Sequence, residues 1–254
     1  MTATISDRDI MGGLAKGLAV IETFTADRPR QSIAEVSAAS GLDRATARRC
    51  LLTLAQQGYA DWDGKFFTLT PRVLRLGTAC LATMPLPQIV QPFLDEVSEA
   101  VGKSSSVSIL DGDEIVYIAR AAQKRVMSIA LMPGSRLPAY CTSMGRVMLA
   151  ALPEGEARAL LGPGPLPART AHTLTDPEAV MAALAQVRMQ GYALNDQEVE
   201  EGLRSIAMPV LNARGRTVAG LNFALPATEP AEEITTRYLP ALREVQARLK
   251  PLLR

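Results

Sequence analysis

The chain has one histidine, His172, in 254 residues, and three cysteines, Cys50, Cys80 and Cys141, with no CxxC pair among them. A single histidine excludes multi-histidine metal centres, and an odd, scattered set of cysteines argues against a disulfide framework or a zinc knuckle. Neither a metal nor a cofactor is expected. The formal net charge is only +1, which excludes bulk attraction to a polyanion. Residues 1–75 hold 10 Lys/Arg against 8 Asp/Glu, so any nucleic-acid contact must come from a local arrangement of charge. No apolar run approaches the roughly 20 residues that cross a bilayer. The stretch "MTATISDRDIMGG" is acidic and lacks the apolar core of a secretory leader, so a cytoplasmic protein is expected. What remains is an ordinary folded composition, 48% hydrophobic and 21% charged. The length suits one or two domains of roughly 100–200 residues each.

The charge that is present is concentrated. "GLDRATARRCLLTL" (41–54) sets Arg44, Arg48 and Arg49 on one short segment. Ala47, Cys50, Leu51 and Leu54 recur at helical spacing there and form a single stripe, with Asp43 as cap and Gly58 as stop. At about 100° per residue, Ala45 and Arg49 point away from that stripe, Thr46 and Arg48 flank it, and Arg44 projects from the first turn. The segment before it, "SIAEVSAASGL" (32–42), opens with Ser32 and carries Glu35 three residues on, a capping-box start. An amphipathic helix over 14–24 precedes both. After them, "YADWDGKFFTL" (59–69) reads as a hairpin around Asp63-Gly64 with Lys65 at its tip. Helix, helix, arginine-bearing helix and hairpin make a winged helix-turn-helix, whose third helix enters the major groove. The candidate DNA contacts are Ser32, Arg44, Ala45, Thr46, Arg48, Arg49 and Lys65. Arginine suits this work because its planar fork holds guanine or phosphate through two hydrogen bonds.

Beyond Pro71, apolar residues at helical intervals predict a linker helix ended by Pro85 and Pro87, with a further helical stretch from Ile89 to Val101. Strands follow on either side of Asp111-Gly112-Asp113, a third is predicted over 125–132, and a hairpin spans "SIAMPVL" and "RTVAGLNFAL". Helices are predicted over 143–151, 154–160, 177–190 and 230–250. Hairpins interleaved with helices argue α+β with a largely antiparallel sheet. Thr142 or Ser143 opens one of these helices, and the unpaired N–H groups of a helix start attract a carboxylate. Gly145 permits close backbone approach. Asn222 is polar within an apolar alternation, and Arg204 is placed to pair either a ligand carboxylate or a neighbouring Asp196 or Glu201.

Together, "GLAKGLAVIETF", "SIAEVSAASGLDRATARRCLLTLAQQGY", "GSRLPAYCTSMGRVMLAALP" and "GYALNDQEVEEGLRSIAMPV" resemble the IclR family of bacterial transcriptional regulators over nearly the whole chain. The wording "PAYCTSMGR" is most similar to the branch that controls aromatic-acid catabolism through the β-ketoadipate route. The resemblance implies a tail over 1–12, a winged helix-turn-helix domain over 13–70, a linker helix over 71–84 and a GAF-like effector domain over 85–254. It also implies dimers or tetramers on a palindromic or repeated operator, and a small carboxylate effector such as 4-hydroxybenzoate or protocatechuate. In the effector site it places Tyr140 and Met144 against an aromatic ring, Met132 completing the wall, Thr142 and Ser143 at the helix start, and Asp196 at the border. Ser205 stands where the family often has cysteine, and Arg204 and Asn222 complete the set. An enzyme using Cys141 as nucleophile is the opposing reading, disfavoured because the chain has no second histidine and Tyr140 and Thr142 are poor bases. A regulator answering to a non-aromatic keto acid is the other. A sequence-blind architectural DNA binder is disfavoured by the near-zero charge. A regulator, not an enzyme, is expected.

Overall fold

The computed structural model describes residues 6, 10–25, 27–123 and 131–254, and the side chains of all of these except 78–82. Two compact units emerge, Met1–Thr83 and Met84–Arg254.

In the first unit, α1 (Gly12–Glu22), α2 (Ile33–Ser40) and α3 (Arg44–Gln56) pack around Val20, Val36, Ala47, Leu51, Ala60 and Phe67. The capping box is present as the sequence predicts: the Glu35 amide donates to the Ser32 hydroxyl, and Glu35 Oε2 accepts from the Ser32 amide at 2.7 Å. Gly41 ends α2 at φ 70, a left-handed geometry that costs glycine little, and Asp43 then caps α3 by accepting from the Thr46 amide at 2.9 Å. The hairpin consists of β2 (Ala60–Trp62) and β3 (Phe66–Leu69). A third strand, β1 (Arg30–Ser32), completes the sheet in the order β1-β3-β2, all antiparallel. Three residues with a polar middle carry too little alternation for the sequence to announce that strand. A 3-10 turn (Pro71–Val73) leads into α4 (Leu74–Thr83).

In the second unit, α5 runs over Pro85–Val101. Pro85 and Pro87 therefore do more than end the linker helix. Pro85 starts the next one, where its fixed φ and missing N–H cost nothing. A six-stranded antiparallel sheet follows among the described residues, in the order β6-β5-β4-β9-β8-β7. Its strands are β4 (Ser104–Asp111), β5 (Glu114–Ala121), β6 (Arg136–Pro138), β7 (Ala193–Asp196), β8 (Leu203–Leu211) and β9 (Thr217–Pro226). The sequence reading missed β6 and β7, both short edge strands. The strand predicted over 125–132 lies mostly outside the described residues, and Leu131 and Met132 are not in a strand. On one face, α5 and α9 (Ala231–Leu249) cover a core that includes Val107, Ile206, Leu221 and Phe223. On the other, α6 (Ser143–Ala151), α7 (Glu154–Leu161) and α8 (Pro177–Gln190) cover Ile115, Tyr117, Ala207 and Ala224. The α+β expectation holds, with helices on both faces of the sheet.

Candidate functional site

In the first unit, basic side chains are exposed along α3. Arg44, Ala45, Arg48 and Arg49 are exposed along α3, because the apolar stripe turns Ala47 and Leu51 into the core. Thr46 is different: its side chain is largely buried, and its amide donates to the capping carboxylate of Asp43. Ser32 is half-buried with its hydroxyl hydrogen-bonded to Glu35 at 2.6 Å, which makes it first a structural cap. Lys65 stands exposed at the hairpin tip, its ammonium 5.0 Å from the centroid of the Phe66 ring. Asp63 fixes that tip. Its Oδ1 accepts from the Lys65 and Phe66 amides, and its Oδ2 pairs with Arg30. These bonds, the Phe66 amide foremost, hold its carboxyl well below the usual carboxylate range. The wing and α3 thus expose four side chains with a common charge.

The second unit contains a cleft between α6 and the sheet. It is lined by Tyr117 and Arg120 from β5, Thr142, Ser143 and Met144 from the start of α6, Ser205 from β8 and Asn222 from β9, with Leu131, Leu137, Val199, Leu203 and Ala224 around them. The space measures ≈ 360 Å³ including its mouth, of which ≈ 20 Å³ admits the centre of a water molecule. Five residues expected from the sequence are therefore brought together: Thr142, Ser143, Met144, Ser205 and Asn222. The Ser143 and Ser205 hydroxyls bond each other at 2.8 Å. Thr142 caps α6, accepting from the Gly145 amide at 3.1 Å.

Four expected residues are elsewhere. Met132 is exposed, and its neighbour Leu131 takes the wall position. Tyr140 lines a separate cleft of ≈ 570 Å³ including its mouth with Asp113, Pro138 and Pro167, and its hydroxyl donates to the Pro167 carbonyl. Asp196 and Arg204 hold each other in a two-point ion pair at 2.7 and 3.1 Å, and Arg204 also donates to the carbonyls of Ala227 and Glu229. Arg204 lowers the Asp196 pKa, so neither partner is left for a ligand. Gly145 makes its close approach to its own chain: a Cβ there would lie 2.1 Å from the Ala139 carbonyl oxygen.

Two residues that the sequence reading missed carry most of the cleft's chemistry. Strict alternation along "EIVYIARA" puts Tyr117 and Arg120 on opposite faces. The register shows otherwise: Val107 opposes Ala119 while Ser108 opposes Tyr117, leaving Ile118 without a partner. That extra residue is a β-bulge, and it brings Tyr117 and Arg120 to the same cleft. Arg120 is half-buried and donates to the Ser106 hydroxyl at 2.9 Å. No carboxylate pairs with it among the described residues, and burial depresses its pKa. Burial also pushes the Tyr117 phenol up to about 12, so it stays protonated at neutral pH. Beside the cleft, Arg146 and Glu198 form a buried two-point ion pair at 2.6 and 2.7 Å, and Glu198 also accepts from Asn195 and the Leu174 amide. This network ties α6 to the turn carrying Val199. Cys141 is fully buried and desolvation raises its thiol to about 11, the reverse of an activated nucleophile.

Residues 13–64 match the IclR helix-turn-helix domain, and residues 78–249 match the bacterial transcriptional regulator IclR C-terminal model. The chain belongs to the IclR family of bacterial transcriptional regulators. It is 45% identical to the Pca regulon regulatory protein of Pseudomonas putida over 94% of this chain and 83% of that one. It is 36% identical to the p-hydroxybenzoate hydroxylase transcriptional activator of Acinetobacter baylyi, covering 98% of this chain and 94% of that one. Among solved structures, a transcriptional regulator from Rhodococcus sp. RHA1 is 44% identical with a TM-score of 0.77, over 95% and 97% of the two chains. An IclR homolog from Microbacterium hydrocarbonoxydans, solved with 4-hydroxybenzoate, is 26% identical with a TM-score of 0.72, over 93% and 98%. Among the described residues, no helix is long and apolar enough to cross a membrane.

Proposed function

We propose that this chain regulates genes of aromatic-acid catabolism in response to a small aromatic carboxylate, 4-hydroxybenzoate or protocatechuate, held in the cleft under α6. The observation that carries the reading is Arg120, a half-buried guanidinium with no carboxylate partner among the described residues, at the edge of an otherwise largely apolar cleft. Such a fork is complementary to a carboxylate, and the adjoining start of α6 adds favourable helix-dipole potential. A keto acid would satisfy Arg120 but leave the walls of Tyr117, Leu137 and Met144 without a ring to cover. A ring enters when Met144 or Leu131 swings aside, and Met144 has the flexible thioether for that motion. The backbone and Cβ of Met144 lie close against Gly220 on β9, so a ring wedged under α6 would press on the contact between the start of that helix and the sheet. An effector changes DNA affinity only by preferring one state of the protein over another.

DNA contact is assigned to Arg44, Ala45, Arg48, Arg49 and Lys65. The protein acts in the cytoplasm and is not an enzyme; the protonated, buried Cys141 supports the second point. Homo-oligomers are supported by the first unit, where Met11 just before α1, Leu14 and Leu18 on α1, and Leu74 and Leu76 on α4 are exposed. A second copy seated on that apolar face would pair two recognition helices on a palindromic operator. Leu14→Asp with Leu18→Asp is expected to lower the mass seen in analytical ultracentrifugation; an unchanged mass places the interface elsewhere.

The effector site is tested by calorimetric titration with 4-hydroxybenzoate. Removing one partner of a buried charge pair costs about 2 kcal/mol or more. Arg120→Met should therefore weaken binding by at least roughly 30-fold. Equal affinity in the variant would remove Arg120, and this cleft, from the account.

A further inference from the structure

Asn222 brings to the cleft a buried amide oxygen with no partner among the described residues. Its side chain is more than nine-tenths buried, its Oδ1 is shielded from solvent, and that oxygen has no hydrogen-bond partner among the described residues. Buried amides left unpaired are costly, and native proteins rarely keep one without a use. The neighbours explain why it stays unpaired. On the adjoining strands Asn222 is directly opposed by Ser106 on β4 and Ala207 on β8. The Ser106 hydroxyl is engaged with Arg120, and alanine offers nothing. Arg120, Ser106 and Asn222 thus form one row across β5, β4 and β9, since Ser106 opposes Arg120 on its other side. Both ends of that row line the cleft.

We propose that Asn222 is a specificity-determining residue that reads a hydroxyl on the effector's ring while Arg120 holds its carboxylate, so that the ring lies across β4 with its acid end toward β5. This rests on the reading of the cleft as an aromatic-acid site. The chemistry follows from what an amide presents, one carbonyl acceptor and two N–H donors. A carboxylate satisfies only the donors and sets its charge against Oδ1. A methyl group satisfies neither. A hydroxyl donates to Oδ1 and accepts from Nδ2, whichever way the amide is turned. The Ser143–Ser205 pair has two O–H protons and uses one between its members, so it adds a second donor beside that hydroxyl.

The test is calorimetric titration of the full chain with 3- and 4-hydroxybenzoate, the matching methylbenzoates and benzoate, in wild type and Asn222→Leu. Sites built to bond a hydroxyl reject analogues lacking it by up to about 10⁴-fold. Wild type should bind one hydroxybenzoate at least roughly 100-fold tighter than its methyl counterpart. In Asn222→Leu that ranking should reverse, and its ligand-free melting temperature should hold or rise because the unpaired amide is gone. Two outcomes overturn the proposal: benzoate or a methylbenzoate binding wild type as tightly as the better of the two hydroxybenzoates, or a folded Asn222→Leu losing every acid equally. The wild-type ranking decides the matter even if the variant does not fold. Failure of the underlying reading looks different, since then no acid binds wild type or binding ignores Arg120→Met, and the proposal falls with it.

Discussion

Gly145 shows how little freedom single positions near the cleft have. Any side chain there would strike the backbone of Ala139, at 2.1 Å from its oxygen and 2.4 Å from its Cα. Backbone on both sides cannot rotate away as a flexible side chain would. Overpacking of this kind costs about 1–3 kcal/mol and sometimes more. Gly145→Ala should lower the melting temperature and widen the cleft by lifting the start of α6; a thermal scan showing no loss of stability would contradict the contact. Residues are also where reading the sequence has a physical limit. Thr142 and Ser143 were legible because a helix start has a chemical signature, and Asn222 because it interrupts an apolar alternation. Tyr117 and Arg120 were not, because one unpaired residue at Ile118 resets the two-residue period and nothing in "EIVYIARA" marks it. Asp196 and Arg204 have the right charges for a ligand, yet only the register that sets them opposite one another reveals that they satisfy each other.

At the scale of elements, α3 is the part whose role depends on what surrounds it. Its apolar stripe packs against α1 and α2, and this leaves the arginines facing outward. Asp43 and Glu35 cap the two helices of the motif, and those caps were readable because capping needs particular side chains at fixed offsets. The strand β1 was not readable, since its formation depends on β3 lying beside it, a long-range fact. Arg49→Ala should weaken operator binding by roughly 1–3 kcal/mol and blur base preference if Arg49 reads base edges, or weaken all sequences alike if it touches phosphate. Footprints identical to wild type would take Arg49 off the interface. The wing rests on Asp63. Its depressed carboxyl contributes stability above the unfolded carboxylate value and loses it as pH falls, so the hairpin tip is secure at neutral pH.

For the whole molecule, a net charge of +1 leaves little bulk attraction to DNA, and what attraction there is depends on local contacts of basic side chains with phosphate, which weaken strongly with salt. The same near neutrality leaves specificity to local contacts rather than to bulk charge. Regulation then requires that filling a cleft in the second unit changes the affinity of the first. Effects of this kind are typically 5- to 150-fold in affinity, about 1–3 kcal/mol of coupling. The measurement that tests this most directly is fluorescence anisotropy on a duplex selected by the full chain from a randomised pool, with and without 4-hydroxybenzoate. Wild type should shift its DNA affinity within that range, and Arg120→Met should bind the duplex as wild type does without responding to the acid. A response of equal size in Arg120→Met, or none in wild type, would contradict the account.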